Sequence, residues 1–134
     1  NLMIPGENDD PDETRKLCGW VVEHLGDEVP LHFTAFHPDF KMTDKPRTPA
    51  STLKRARGIA RAMGIKFCYI GNVRDDEGQT TYCPACGAAL ITRSWHDILD
   101  YRLNGDSCPC GVKIPGRFAG APRAAFAGRH RAHL

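Results

Sequence analysis

Four cysteines in the C-terminal part of the chain constrain its fold more than any other feature. They stand in two short motifs, CPACG at residues 83–87 and CPCG at residues 108–111, with 21 residues between Cys86 and Cys108. A glycine after each pair lets the backbone turn so that two sulfurs point at one ion. We therefore predict one closed, structural zinc site with Cys83, Cys86, Cys108 and Cys110 as its ligands.

Other interpretations of the cysteines remain open at the sequence level. The second motif is Cys-x-Cys where a standard zinc ribbon has Cys-x-x-Cys, so His96 or Cys68 is the reserve ligand if Cys110 cannot reach the ion. The alternatives to zinc are an iron-sulfur centre, a disulfide framework and four cysteines that are merely buried. The sequence shows no secretory leader, and we expect a cytoplasmic location, where disulfides are uncommon.

Residues 1–78 show an alternation of strand and helix signals. Asp10 and Thr48 are predicted N-caps, each followed by a proline at the helix start, and Gly26 and Gly64 are predicted to end the two helices. Apolar runs typical of strands lie at residues 2–4, 31–36 and 66–70. This order predicts parallel strands joined by helical crossovers, which is an α/β fold.

Charge is distributed unevenly along the chain, which has a net charge of +2. No acidic residue follows Asp106, and the last basic side chains are Arg117, Arg123, Arg129 and Arg131. We predict that residues 119–134 form a disordered basic tail. No apolar run is long enough for a membrane span, and we expect neither a membrane nor a nucleic-acid partner.

A sheet of three parallel strands with two helices is incomplete. Helices can cover one face, but both edges of the sheet stay open. We therefore predict that the chain is the C-terminal portion of a longer α/β protein, or that another copy or a partner completes its sheet.

Several segments together resemble the radical SAM enzyme of the AmmeMemoRadiSam system, a family similar to the activating enzymes of pyruvate formate-lyase. The segments are MIPGEND at residues 3–9, LHFTAFHPDFKM at 31–42, YIGNV at 69–73, YCPACG at 82–87 and IPGRF at 114–118. The resemblance implies a partial (β/α) barrel that binds S-adenosylmethionine and a 4Fe-4S cluster and releases a 5′-deoxyadenosyl radical. It divides the chain into the C-terminal half of a barrel at 1–78, a four-cysteine zinc-ribbon-like module at 79–118 and the basic tail at 119–134.

The chain lacks the motif by which this family binds the cluster needed for radical formation. The family binds its cluster through Cys-x3-Cys-x2-Cys, and the closest approach, Cys83 and Cys86, has Gln79 where the first cysteine would stand. We therefore expect this chain alone to be inactive and to need the missing N-terminal half of the barrel as a partner. Memo-like and AMMECR-domain proteins are further partners that the resemblance implies.

The resemblance also suggests contacts for the cofactor. The related activating enzymes place the histidine of a Pro-Tyr-His or Pro-Phe-His pattern beside the cofactor, and Phe36-His37 matches the last two positions. Ligands of α/β folds bind at the carboxyl ends of parallel strands. Further candidates at these ends are Asp39, Lys41, Asn8 and Asn72, whereas His32 lies inside a strand and is expected to pack in the core.

Two other functions compete with the radical enzyme. In the first, the zinc ribbon is a binding module whose Arg93, Lys113 and basic tail contact nucleic acid or a protein. In the second, a pool of His32, His37, Asp39 and Asp44 performs acid-base catalysis, although the sequence has no nucleophile motif and no glycine-rich phosphate loop to support it.

Overall fold

A computed structural model of the chain describes residues 1–120. The chain divides into two compact units, Asn1–Gly78 and a second unit that begins at Gln79. Arg123, Arg129, Arg131 and most of the predicted basic tail lie outside the described residues. The elements in chain order are β1 Leu2–Met3, α1 Pro11–Leu25, β2 Leu31–Ala35, α2 Ala50–Ala62, β3 Cys68–Gly71, α3 Asp76–Gln79, β4 Thr81–Tyr82, β5 Ala89–Ser94 and β6 Asp97–Tyr101.

The first unit contains a parallel sheet with the strand order β1-β2-β3. Leu2 lies opposite Thr34, and Phe33 lies opposite Ile70. Helix α1 connects β1 to β2 and helix α2 connects β2 to β3, so the order of strands and helices is the one predicted for residues 1–78. The unit is therefore a βαβαβ block, and the barrel to which we assign it remains a prediction.

Helix α1 begins and ends at the residues predicted from its sequence. The Asp10 carboxylate accepts hydrogen bonds from the backbone N–H groups of Asp12, at 2.8 Å, and Glu13, at 3.2 Å. At the other end, Gly26 has a φ of +89° and its N–H donates to the carbonyl of Val22 at 3.2 Å. A positive φ costs glycine little, which explains why the helix stops there.

Helix α2 begins differently from the prediction, because Thr48 is not its N-cap. Pro49 occupies the cap position and makes no side-chain cap hydrogen bond. The buried Thr48 hydroxyl instead donates to the carbonyl of Met3 at 2.5 Å and accepts from the N–H of Phe36 at 2.8 Å. These groups lie where β1 and β2 end and leave the sheet ladder, so a buried hydroxyl satisfies both of them.

The core of the first unit lies between the sheet and its two long helices. Phe33 of β2 and Leu53 of α2 are fully buried, and Ile70 of β3 is 2% exposed. The remaining buried members of this cluster are Met3, Cys18, Val21, Ala35, Ala56, Ala60, Ile65, Cys68 and Val73. Both helices contribute to one cluster with alternate strand residues, so they cover the same face of the sheet.

The opposite face of the sheet carries the other alternate residues. Leu2 is 46% exposed, Thr34 and Tyr69 are half-buried, and His32 is exposed with its ring centroid 4.9 Å from that of Tyr69. The prediction that His32 packs in the core is therefore wrong. Phe33 and Ala35 face the helices, so the strand period of two turns His32 to the face that neither long helix of this unit covers.

The second unit contains an antiparallel sheet with the order β4-β5-β6. Strands β5 and β6 form a hairpin in which Ser94 pairs with Asp97, so Trp95 and His96 form the turn. Trp95 has a φ of +60° and is 55% exposed. Among residues 1–120, no helix has both the length and the apolar character needed to span a membrane.

Candidate functional site

Each cysteine motif forms a tight turn stabilised by backbone hydrogen bonds. In the first, the N–H of Cys83 donates to the carbonyl of Ala88 at 2.9 Å and the N–H of Gly87 donates to that of Cys83 at 3.0 Å. In the second, Cys108 donates to Val112 and Gly111 donates to Cys108, both at 2.8 Å. The second turn thus closes one residue earlier, and this accommodates Cys-x-Cys in place of Cys-x-x-Cys.

Glycine is required in both turns. Gly87 has a φ of +74° and Gly111 a φ of +94°. A side chain in this left-handed region is strained, whereas glycine adopts it readily. The glycine that follows each cysteine pair therefore lets the backbone turn back and direct two sulfurs to one point.

The two turns bring all four cysteine sulfurs together. The four Sγ atoms lie within 4.8 Å of one another, with 3.7 Å between Cys83 and Cys110 and 3.6 Å between Cys86 and Cys108. A tetrahedral centre with metal-sulfur bonds of about 2.3 Å separates its sulfurs by about 3.8 Å. The four thiols, which form no disulfide, therefore fit around a metal ion and could bind one.

Neither reserve ligand is needed. Cys110 takes part in the group, whereas Cys68 is buried in β3 of the first unit and His96 lies in the β5–β6 turn. Within the described part of the chain, these four cysteines are the one group of three or more histidine, cysteine or acidic residues arranged to hold a metal ion. The exposed residues of the group are Cys86 and Cys110, while Cys83 and Cys108 are each 2% exposed.

The thiols perturb one another's protonation. Burial raises the pKa of Cys83, but backbone hydrogen bonds from Cys86 and Ala85 and the neighbouring thiols outweigh it and lower that pKa to about 7. A backbone hydrogen bond from Cys110 lowers the pKa of Cys108, but burial and the three surrounding thiols raise it to about 12. The thiolate of Cys83 thus forms easily and that of Cys108 forms with difficulty, because hydrogen bonds stabilise the charged form of the first and, together with burial, the neutral form of the second. A bound cation would compensate the negative charge of the thiolates and release protons.

The strand-end candidates lie in the first unit, where β1, β2 and β3 end. His37 and Asp39 are exposed in the loop that follows β2. Asp39 and Met42 close a short turn, in which Phe40 has a φ of +49° and is 86% exposed. The Lys41 ammonium lies 5.4 Å from the centroid of the Phe40 ring, a cation–π distance. Contact of His37, Asp39 or Lys41 with a ligand remains a prediction.

Asn8 and Asn72 support the backbone at the ends of β1 and β3. The Asn8 side chain accepts from the N–H of Ile4 at 2.7 Å and donates to the carbonyl of Leu2 at 2.8 Å. Asn72, whose φ is +59°, donates from its amide to the carbonyl of Ala35 at 3.3 Å. Both amides therefore have a structural role, and their contact with a cofactor remains a prediction.

Sequence reasoning missed Arg47 in this region. Its guanidinium donates to the backbone carbonyl of Asn72 at 3.0 Å, which places a cation beside the end of β3. The adjacent Thr48 is bonded to Met3 and Phe36 and fixes the backbone next to Arg47. The sequence signal for Arg47 was its position directly before Thr48-Pro49. That position lies between the loop after β2 and the start of α2, so its side chain is near the ends of the strands.

The basic residues suggested for a binding module have partners within the second unit. Arg93 donates to the carbonyl of Gln79 at 3.1 Å and to the hydroxyl of Thr81 at 2.8 Å. The Lys113 ammonium lies 2.9 Å from a carboxylate oxygen of Asp106. Arg93 thus connects β5 to Thr81 of β4 and to Gln79 just before that strand, which is a structural role.

Comparisons with known proteins give a relative but no activity. No family profile matches the chain, and no solved structure gives a significant match. The chain is similar to the uncharacterized protein MJ0808 of Methanocaldococcus jannaschii, with 46% identity over 117 residues that cover 85% of this chain and 35% of that protein. The chain therefore spans about a third of the length of a longer relative whose name assigns no function.

Proposed function

We propose that this chain is the C-terminal part of an S-adenosylmethionine-dependent radical enzyme similar to the activating enzymes of pyruvate formate-lyase. The observation that carries the proposal is the one-sided parallel sheet, whose long helices pack on one face while Leu2 and His32 are exposed on the other. Parallel sheets are normally covered on both faces. In a (β/α) barrel the face without helices is the interior, which the other strands enclose.

The composition of the open face agrees with a barrel interior that binds a ligand. It combines an apolar residue, Leu2, with the polar and aromatic groups of His32, Thr34 and Tyr69. Ligand pockets also combine apolar and aromatic side chains with polar groups, although their lining is on average more apolar than these four residues. The candidates for cofactor contact, His37, Asp39, Lys41, Asn8 and Asn72, follow the carboxyl ends of the same strands, where such barrels bind their ligands.

The 4Fe-4S cluster does not fit this chain. Cys18 and Cys68 are buried in the core of the first unit, and the other four cysteines form the metal group of the second. A radical SAM cluster needs three thiolates on one loop and leaves one iron for the cofactor. The cluster would therefore be bound by a part of the protein outside these 134 residues, and the longer relative has about two thirds of its length available for such a part.

This chain would supply cofactor contacts and the barrel wall. A cluster bound elsewhere in the protein would supply the electron for cofactor cleavage, and no residue of this chain would take part in that transfer. The His37 imidazole would hold the cofactor by a hydrogen bond at the end of β2, and Thr48 would keep the ends of β1 and β2 in a fixed arrangement. The open face would exclude water once the remaining strands cover it.

We assign zinc to the four-cysteine group. Zinc prefers tetrahedral thiolate ligands, and sulfur separations of 3.6 and 3.7 Å agree with about 3.8 Å in a regular site. Four protein ligands leave no position for water or substrate, so the ion would stabilise the second unit and take no part in catalysis. The cytoplasmic location and the Memo-like and AMMECR-domain partners belong to the proposal through the family resemblance.

The test is metal analysis with an assay of cofactor cleavage. This chain and full-length MJ0808 would be purified without oxygen, and zinc, iron and 5′-deoxyadenosine formation after addition of dithionite would be measured. We expect about one zinc and no iron in this chain, and about four further irons with cofactor cleavage in the relative. A relative without iron would contradict the radical enzyme, and a chain without zinc would contradict the metal assignment alone.

A second candidate is a metal-ribbon module that binds a protein partner. The observation that favours it is the exposed apolar hairpin of the second unit, where Trp95, Ile98 and Leu99 are 55%, 37% and 51% exposed. Aromatic residues at exposed turns often carry binding energy at interfaces. If the hairpin binds a protein, Trp95→Ala should abolish crosslinking of the chain to that protein in native lysate. Trp20→Ala should leave the crosslinking unchanged, and it is a matched control because Trp20 is similarly exposed in the first unit.

A further inference from the structure

The four-cysteine group consists of two exposed and two buried residues. Cys86 and Cys110 are exposed, whereas Cys83 and Cys108 are each 2% exposed. Each motif contributes one residue of each kind. Cys86 and Cys110 are therefore the two members of the group at the surface of the second unit, although the coordination shell itself would be closed.

Two of the sulfur contacts in this group join an exposed cysteine of one motif to a buried cysteine of the other. Cys86 Sγ lies 3.6 Å from Cys108 Sγ, and Cys110 Sγ lies 3.7 Å from Cys83 Sγ. A disulfide needs about 2.05 Å between sulfurs, so a movement of under about 2 Å would close either pair. Either bond would hold the two motifs together in place of the ion.

We propose that this group is a hydroperoxide-reactive site at which oxidation of Cys86 or Cys110 forms a disulfide between the two motifs and releases the metal. The inference rests on the zinc assignment made above. It assigns distinct roles to the sulfurs: the exposed cysteine of each pair is attacked first, and the buried cysteine of the other motif resolves it.

The reaction balances with a hydroperoxide as the oxidant. The Cys86 thiolate attacks one peroxide oxygen, the O–O bond breaks, and a sulfenic acid and hydroxide are formed. The Cys108 thiolate then attacks the Cys86 sulfur, the S–O bond breaks and a second hydroxide leaves. Two electrons pass from the two sulfurs to the peroxide, and two protons convert both hydroxides to water. The ion is left with two of its four ligands and dissociates, and a thiol reductant reverses the disulfide.

The other two cysteines provide an internal reference. Cys18 is fully buried and Cys68 is 5% exposed, both in the core of the first unit. The oxidant cannot reach them while that unit is folded. They should therefore remain reduced under conditions that oxidise the four-cysteine group.

The test uses the zinc-loaded chain and hydrogen peroxide. Zinc release would be followed with a chromophoric chelator, and disulfides would be mapped by differential alkylation and peptide mass spectrometry. We expect one zinc released per peroxide consumed, with either Cys86–Cys108 or Cys83–Cys110 as the first disulfide in each chain, and full zinc rebinding after reduction. Retention of zinc in a tenfold excess of peroxide, or disulfides mainly within one motif, would overturn the proposal while leaving the zinc assignment intact.

Two matched variants separate the pairs. Cys86→Ser keeps only the Cys83–Cys110 pair and Cys110→Ser keeps only the Cys86–Cys108 pair. Peroxide should give the retained disulfide in each variant, a result that mass spectrometry detects even if the variant binds zinc weakly. Formation of Cys83–Cys108 disulfides, or of overoxidised exposed cysteines without any disulfide, in both variants would contradict the assigned roles.

Discussion

The two units of the chain achieve stability by different means. In the first, twelve buried residues from β1–β3, α1, α2 and adjoining segments form one apolar cluster. In the described part of the second unit, the buried hydrophobic residues number six, and two of these are the metal-group cysteines Cys83 and Cys108. A unit with so few apolar residues needs a metal or another crosslink, because its core alone supplies too little free energy. A metal ion would thus substitute for a core in the second unit, whereas the first unit needs none.

Metal removal should give the largest difference between the units. Structural zinc contributes apparent binding free energies of about 10–16 kcal/mol at neutral pH in small domains. Chelation, or Cys83→Ser, should therefore unfold the β4-β5-β6 sheet while β1-β2-β3 remains folded. The measurement is an amide-resolved NMR spectrum with and without chelator.

A core cysteine supplies the control for this experiment. Cys18→Ala removes a thiol that is fully buried in the first unit and takes no part in the metal group. It should leave one zinc per chain and leave the amide signals of the second unit unchanged. Loss of amide signals from both units on chelation would contradict the claim that only the second unit depends on a metal ion.

Truncation of the central core residue should have the converse effect. Phe33 is fully buried in β2, so Phe33→Ala removes a ring from the middle of the cluster and should cost about 3–5 kcal/mol. Urea unfolding of the first unit, monitored by near-ultraviolet circular dichroism, would measure this loss of unfolding free energy. The zinc content of the variant should be unchanged. Loss of zinc together with the loss of stability would contradict the idea that the two units are stabilised independently.

The bridging hydroxyl should have a smaller effect. Thr48→Val keeps the side-chain volume but leaves the carbonyl of Met3 and the N–H of Phe36 without their partner. The expected cost is about 1–3 kcal/mol, since buried polar groups without hydrogen bonds are unfavourable. Thr48→Ser retains the hydroxyl and should recover most of that stability, so equal losses in both variants would point to packing as the cause.

The elements with local signals were predictable from the sequence, and those set by tertiary contacts were not. Helix α1 begins after Asp10 and ends before Gly26, as predicted, because helix caps and helix ends depend on adjacent backbone groups. The four metal cysteines also come together as predicted, because glycine turns and spacing determine the geometry of each motif.

Thr48 and His32 show what the sequence could not determine. The backbone groups that Thr48 serves belong to Met3 and Phe36, 45 and 12 residues away, and a local cap pattern carries no information about them. The prediction for His32 failed because an apolar run indicates a strand but not which face the helices cover. The Phe36-His37 pattern suggested a cofactor contact for His37, and that contact, like those proposed for Asp39 and Lys41, remains a prediction.

Alkaline pH should affect the first unit modestly through Cys68. Burial in β3 raises the pKa of the Cys68 thiol from 9.0 to about 12. Above pH 9 the unfolded chain ionises this thiol while the folded chain keeps it protonated, so the unfolded state binds fewer protons and stability falls as pH rises. Between pH 8 and pH 10 the loss should be about 1 kcal/mol from this group. Urea unfolding of zinc-loaded protein at both pH values should show this slope, and Cys68→Ala should reduce it even though the variant is less stable overall. An unchanged slope in Cys68→Ala would assign the alkaline sensitivity to Cys18, whose pKa burial also raises, or to groups outside the core.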